Sequence, residues 1–339
     1  MQKEIPVGWS NKEVKYAASI RHHKRFMVEF FRKKERCKMK VYLSESMDRQ
    51  ALDRLKAKAE IVDDFDHPEE LDAIIIRRVV LTREILKRAT RCKIVAMHGV
   101  GLDTIDMDAA KEFGIPVVNV PGGSAESVAE LAVTFMLAMG RKLKQAERGL
   151  TEGRYKGFGP SELIGVEVMG KKVGLVGFGH ISRRVGEIMR TAFGCRILVY
   201  NPSLTKEKAI AMDVEKVEQL KELFALCDFV SISVPLKDST RNMINDDIFA
   251  NANPNLILVN TARGGIVDEG ALYRALTQRK IAAAGFDVSV KEPMDKDDPL
   301  LELENFMATP HIGASTPDAK RRVGHVVVDN IFKAWGIER

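Results

Sequence analysis

Between Lys40 and Pro121 short apolar runs alternate with amphipathic stretches. KVYLSE, AEIVDDF, DAIIIRR, KIVAMHG and PVVNV are rich in Val and Ile and bounded by polar residues, which predicts strands. DRQALDRLKAKA and TREILKRATR carry apolar residues at three- and four-residue spacing, which predicts helices between them. Such alternation needs crossover connections and therefore parallel strands. AESVAELAVTFMLAMGRKLKQAERGL keeps one helical period throughout, predicting a single long helix that starts at Ser124 or Ala125 and ends just before Gly153. From Lys172 the alternation begins again with KVGLVG, RILVYN, DFVSISV, LILVN and IAAAGFDV as strands. ISRRVGEIMRTAF and EGALYRALTQ are helices among them, and PDAKRRVGHVVVDNIFKAW closes the chain as another. The fold class expected is α/β, with two Rossmann-like or flavodoxin-like parallel-sheet domains.

Composition narrows the class without changing that picture. A chain of 339 residues with 45% apolar and 29% charged residues fits a globular protein of about two domains. No apolar stretch approaches the roughly 18 residues of a membrane span, and the amino terminus lacks the pattern of a secretory signal. Cys37, Cys92, Cys195 and Cys227 are far apart with no C-x-x-C pair, so neither a metal site nor a disulfide framework is expected, and a cytoplasmic location is. Residues 1–38 carry 11 Lys or Arg against 4 Glu, a net +7; the whole chain is +6, which leaves residues 39–339 at −1. The basicity belongs to an amino-terminal extension, read as a solvated tail, and a nucleic-acid partner is not expected.

Val173-Gly174-Leu175-Val176-Gly177-Phe178-Gly179-His180-Ile181-Ser182 runs from an apolar strand through a glycine turn into a helix. Gly177 permits the tight turn and Gly179 lets backbone approach a pyrophosphate, while the helix amides and macrodipole face the anion. Ser182 stands where a third glycine or alanine is usual and is small enough for close packing. With a strand before and a helix after it, the motif points to a dinucleotide. The next strand ends at Asn201 where an acidic residue would bind the adenosine ribose. An amide still hydrogen-bonds a hydroxyl and does not repel a 2′-phosphate, so NAD is expected with NADP as the alternative.

Three later stretches, NTARGGIVDE, GFDV continuing to KEP, and TPHIGAST, each put a titratable or charged residue just past a strand, at the sheet edge where ligands bind. With HGVGLDTIDMDAA, VPGGSAESVAEL and VGFGHIS they make a sequence that resembles the D-isomer-specific 2-hydroxyacid dehydrogenases, most closely the phosphoglycerate dehydrogenases, over roughly residues 40 to 335. The resemblance implies Arg263, Glu292 and His311 as the reaction centre. His311 would move the proton, Glu292 would orient its ring and favour the imidazolium, and Arg263 would pair with the substrate carboxylate. It implies cofactor contacts at Val100, Gly177, Gly179, His180, Ile181, Asn201, Val234, Thr261, Ala262, Arg263, Asp287, His311, Gly313 and Ala314, with Asp287 accepting from the nicotinamide carboxamide. Asp268 and Glu269 are expected to cap the following helix.

The resemblance further implies a cofactor domain at 123–314 inserted into a substrate domain of 39–122 and 315–339, an active site in the cleft between them, and a homodimer. Arg77 and Arg78, with Val100, Gly101 and Arg263, are the expected substrate contacts, which favours 3-phospho-D-glycerate. Met97-His98 occupies the place where an arginine often precedes the glycine loop, so reduction of glyoxylate, hydroxypyruvate or another 2-keto acid stands as the alternative. An NAD-sensing regulator of the corepressor kind is the remaining reading.

Overall fold

A computed structural model describes residues 38–337. The basic extension, Lys38 apart, lies outside the described residues. The first sheet is built from β1 (Met39–Leu43), β2 (Ala59–Val62), β3 (Ala73–Ile76), β4 (Val95–Met97) and β5 (Val117–Val118), in the order β2-β1-β3-β4-β5. The second comprises β6 (Lys172–Val176), β7 (Arg196–Tyr200), β8 (Glu215–Lys216), β9 (Phe229–Ile232), β10 (Ile257–Asn260), β11 (Ala283–Phe286) and β12 (Phe306–Ala308), in the order β12-β11-β10-β9-β6-β7-β8. Every pairing is parallel, with Val41 opposite Ala73 in the first sheet and Val173 opposite Phe229 in the second.

Helices cover both faces of each sheet, which is why the central strands read as apolar runs instead of alternating. All four residues of β3, β9, β10 and β11 are buried. The helix Pro317–Ala334 returns to the first sheet, and its Val323, Val327, Val328, Ile331 and Phe332 join Val41, Ile75 and Ala96 in one apolar cluster. The helix Ala125–Gly140 lies on the second sheet, where Phe135 fills the space over Gly285; a Cβ there would stand 2.7 Å from the ring.

The order of strands creates a reversal in each sheet. From β6 the chain builds outward through β7 and β8, then recrosses to β9 and builds the other way. The first sheet reverses between β1 and β3. Loops on the two sides of such a point diverge at the carboxyl ends of the strands and leave a crevice for a ligand.

Three expectations need correction. The long helix is two, Ala125–Gly140 and Leu143–Thr151, with Lys142 between them in the left-handed region at φ 54°. The Gly140 carbonyl is taken by the Val166 amide at 2.8 Å and Lys142 Nζ donates to the Glu162 carbonyl at 2.8 Å, so a neighbouring loop stops the helix. The edge strands β8 and β12 are absent from the apolar pattern, because one is a Glu-Lys pair and the other only three residues long. Asp268 does cap the helix Glu269–Thr277 through the Ala271 amide, but Glu269 accepts from the Val290 amide at 2.7 Å across the loop instead.

Candidate active site

The carboxyl end of β6 runs into Gly177, whose φ of +88° suits glycine and whose absent Cβ would lie 2.7 Å from the Ser233 carbonyl oxygen. Gly179 follows with no atom within 4 Å of where a Cβ would be, and the helix His180–Phe193 starts there with its first amides facing the same space. Ser182 is fully buried, as close packing of helix on strand requires.

Above this turn lies a cleft of about 480 Å³. It gathers Gly179, His180, Ile181, Val234, Thr261, Ala262 and Arg263 from the second sheet with Val100 and Gly101 from the first. Ser233 Oγ and Thr261 Oγ1, both in its lining, are buried and have no hydrogen-bond partner. A glycine cradle, a helix amino end and two polar atoms awaiting partners fit a dinucleotide. Asn201, at the end of β7, lies outside that lining; its Nδ2 donates to Ser203 Oγ at 3.2 Å.

At the end of β11 Asp287 is 2% exposed. Its carboxylate accepts the Thr309 hydroxyl at 2.6 Å and the amides of Ile312 and Gly313 at 2.7 and 2.8 Å. A carboxylate offers about four acceptor positions, so about one, on Oδ2, is left for an outside donor. Asp287 and Gly313 thus organise the turn after β12, and neither they nor Ala314 lines the cofactor cleft. His311, in this turn, has φ +55° and its Nδ1 is 2.8 Å from Glu292 Oε2. An ionised carboxylate can only accept, so Nδ1 carries the proton and Nε2 is left to exchange with a ligand. Burial pushes the Glu292 carboxyl up, but the hydrogen bond and charge of His311, the Ser289 amide and the Arg263 charge together hold it below the ordinary value.

Arg263 reaches across to the other domain. Its Nε donates to Asp103 Oδ2 at 2.8 Å and its Nη1 to the Ala262 carbonyl at 2.7 Å, and its guanidinium lies so close over Gly101 that any side chain there would overlap it. Of five N–H donors, three are left for a carboxylate. Asp103 was not among the expected residues, although it is the acid in HGVGLD, directly beside the loop. The Val100 and Gly101 amides donate to no group among the described residues, while the Val100 carbonyl is taken by Asn119.

The expected arginine pair divides. Arg77 has a side chain only 15% exposed, held by Glu45 at 3.6 Å and Ser315 Oγ at 3.4 Å. Arg78, 57% exposed and 3.7 Å from Glu45, lines a second cavity of about 520 Å³ together with Glu292 and His311. On the neighbouring strand, just past the end of β4, His98 is buried with Nε2 unpartnered, and burial, with the charges of Arg77 and Lys320, pushes its pKa down to about 4. Among the described residues no group of three or more His, Cys, Asp or Glu could hold a metal. No helix there is long and apolar enough to cross a membrane.

Comparison with known proteins agrees with this geometry. Residues 133–313 match the family model described as the D-isomer specific 2-hydroxyacid dehydrogenase, NAD binding domain. The chain is 41% identical over 310 residues to a hydroxypyruvate reductase of Thermotoga maritima, covering 88% of this chain and 99% of that one. It is also 41% identical over 266 residues to a D-3-phosphoglycerate dehydrogenase of Methanocaldococcus jannaschii, covering 78% of this chain but only half of that one. In structure it is similar to the TT0316 protein of Thermus thermophilus, with a TM-score of 0.80 at 30% identity and coverage of 88% and 98%. The chain belongs to the D-isomer specific 2-hydroxyacid dehydrogenase family. It is an NAD-dependent oxidoreductase that acts on the CH–OH group of a D-2-hydroxy acid.

Two outcomes follow. Replacing Asp103 by Ala frees the Arg263 guanidinium, and steady-state kinetics should show kcat/KM for the 2-keto acid falling by about ten- to a hundredfold, partly restored by Asp103→Asn; an unchanged kcat/KM would show the pair to be idle. The unfolded chain takes up the His98 proton near 6.5 and the folded one only near 4, so stability declines as pH descends between those values and levels off below. The slope approaches about 1 kcal/mol per pH unit, and thermal melts of His98→Gln should be flatter across that window.

Proposed function

We propose that the chain interconverts 3-phospho-D-glycerate and its 2-keto form, with Arg263, Glu292 and His311 as the reaction centre. The observation that carries the reading is the 2.8 Å contact of His311 with Glu292 within the electrostatic reach of Arg263. The cleft lined by Gly179, His180 and Thr261 would hold NAD, which when bound would supply the hydride chemistry at the 2-carbon. His311 Nε2 takes the hydroxyl proton in oxidation and returns it to the carbonyl oxygen in reduction. Glu292 stabilises the imidazolium that forms meanwhile, and keeps Nδ1 protonated in both directions. The free N–H groups of Arg263 pair with the substrate carboxylate and favour the negative charge that gathers on the carbonyl oxygen. The Val100 and Gly101 amides offer further donors at the same place.

Arg78, exposed in the cavity it shares with His311, supports a phosphate at the far end of the substrate. A second reading, reduction of hydroxypyruvate or glyoxylate, is supported by Arg77 being committed to Glu45 and by the full-length match to a hydroxypyruvate reductase. Assaying both cofactors against phosphoglycerate, hydroxypyruvate and glyoxylate separates the two, since turnover of the small keto acids without any of phosphoglycerate would pass the assignment to the second. On the first reading Arg78→Ala raises KM for phosphoglycerate by about tenfold or more and leaves glyoxylate unaffected. In the same assays His311→Ala abolishes turnover.

We also propose that the chain acts as a homodimer. Leu143, Leu150, Phe158, Ile164 and Met169 are all more than half exposed within one stretch of chain, and apolar side chains left open in such number favour association. Light scattering should give the mass of two chains for the wild type and of one for Phe158→Asp. A reducing, cytoplasmic setting is supported by Cys92, Cys195 and Cys227, which are buried and unpaired.

A further inference from the structure

Glu292 sits on a short loop that begins at Val288, and two constraints hold that loop which the chemistry above does not use. On one side the Val290 amide donates to Glu269 Oε1 at 2.7 Å. On the other, Gly264, next to Arg263, packs so tightly that a Cβ would overlap the Ser289 carbonyl. Inside the loop the Ser289 amide points to Glu292 Oε1 at 3.3 Å and Ser289 Oγ donates to the Lys291 carbonyl at 2.6 Å. Consecutive amides, those of Ser289 and Val290, are thus aimed at two different glutamates, and fixing one orients the other.

Glu269 is costly where it is. Burial pushes its carboxyl up, the Val290 amide counters this, and Asp298 and Asp268 add repulsion. The following helix does not need it as a cap, because Asp268 already serves the Ala271 amide. A half-buried acid with two acidic neighbours and a single backbone donor has one evident task, holding that donor.

We propose that Glu269 is a positioning residue for the reaction: by accepting the Val290 amide it sets the turn that aims Glu292 at His311. The proposal rests on the reading of Glu292 and His311 given above. Any loosening of the turn lets Glu292 swing from Nδ1 while leaving the cofactor cleft and Arg263 in place. The loss therefore falls on kcat and spares cofactor binding.

The test is a kinetic cycle on the full-length protein with NADH and the keto form of phosphoglycerate, or hydroxypyruvate where that is the substrate turned over. Glu269→Ala should lower kcat by about tenfold or more, with NADH affinity, read by fluorescence, within about twofold of wild type. Glu269→Gln keeps an acceptor oxygen at the same place and should recover kcat to within about threefold. In a Glu292→Gln background Glu269→Ala should add less than about a twofold loss, since the turn then has nothing to aim. A wild-type kcat in Glu269→Ala, equal damage in the Gln and Ala variants, or fully additive losses in the double variant would each overturn the proposal. Wild-type kcat in Glu292→Gln or His311→Ala is a different failure: it removes the reading of the pair itself, and the role of Glu269 with it.

Discussion

The turn that carries His311 depends on one buried carboxylate, Asp287. Asp287 closes β11 with its side chain out of solvent, a placement tolerated only where donors surround the charge. All of those donors come from the turn after β12: the Thr309 hydroxyl and the Ile312 and Gly313 amides reach its carboxylate, and the His311 amide reaches its carbonyl. The turn is wrapped around Asp287, and His311 is left at φ +55° as a consequence. Such a conformation costs a non-glycine residue about 1 kcal/mol or more and persists only because its surroundings over-determine it. What the strain secures is direction: the imidazole projects toward Glu292.

The second dependence is between domains. The second sheet supplies Arg263, Glu292 and His311, and the first supplies the Val100–Gly101 loop, Asp103 and Arg78. The Arg263–Asp103 pair bridges them, with both partners roughly a third to a half exposed. An ion pair so open to water adds little to stability. Its geometric effect is larger, since it consumes Nε and, with the Ala262 carbonyl on Nη1, fixes the plane of the guanidinium. Gly101 belongs to the same arrangement, because its missing side chain is the room that Arg263 occupies.

Much of this was legible in the residues alone. Apolar runs buried on both faces marked ten of the twelve strands, and the glycine turn after β6 announced itself through its strand and helix. The two missed strands are edges, where few residues are buried and the apolar signal vanishes. The helix break at Lys142 was invisible because the cause is a loop some twenty residues away that takes the Gly140 carbonyl. Asp103, Glu269 and Asp287 share that difficulty: each is an acid whose partner is distant in sequence, and a charge by itself does not say which donor it meets. Local capping rules gave Asp268 correctly and Glu269 incorrectly for this reason, since the Val290 amide competes for Glu269 only once the chain has folded.

The family fixes the reaction type and leaves the substrate open. Two relatives of equal identity, 41%, bear different substrate names, so identity alone does not choose between them. At the carboxyl edge of the first sheet Glu45, Arg77 and His98 follow β1, β3 and β4. Glu45 is shared between Arg77 and Arg78, His98 is uncharged near neutrality, and Lys320 adds its charge nearby. Two arginines on one carboxylate, with the Lys320 charge acting on His98, leave an excess of positive charge among these groups. An anionic end group on the substrate would complete the balance and release Arg78 from its long 3.7 Å contact with Glu45. A small neutral-ended keto acid would leave the excess to solvent, gaining only from Arg263 and the loop amides. On the phosphoglycerate reading, Glu45 would therefore compete with the end group of the substrate for its two arginines.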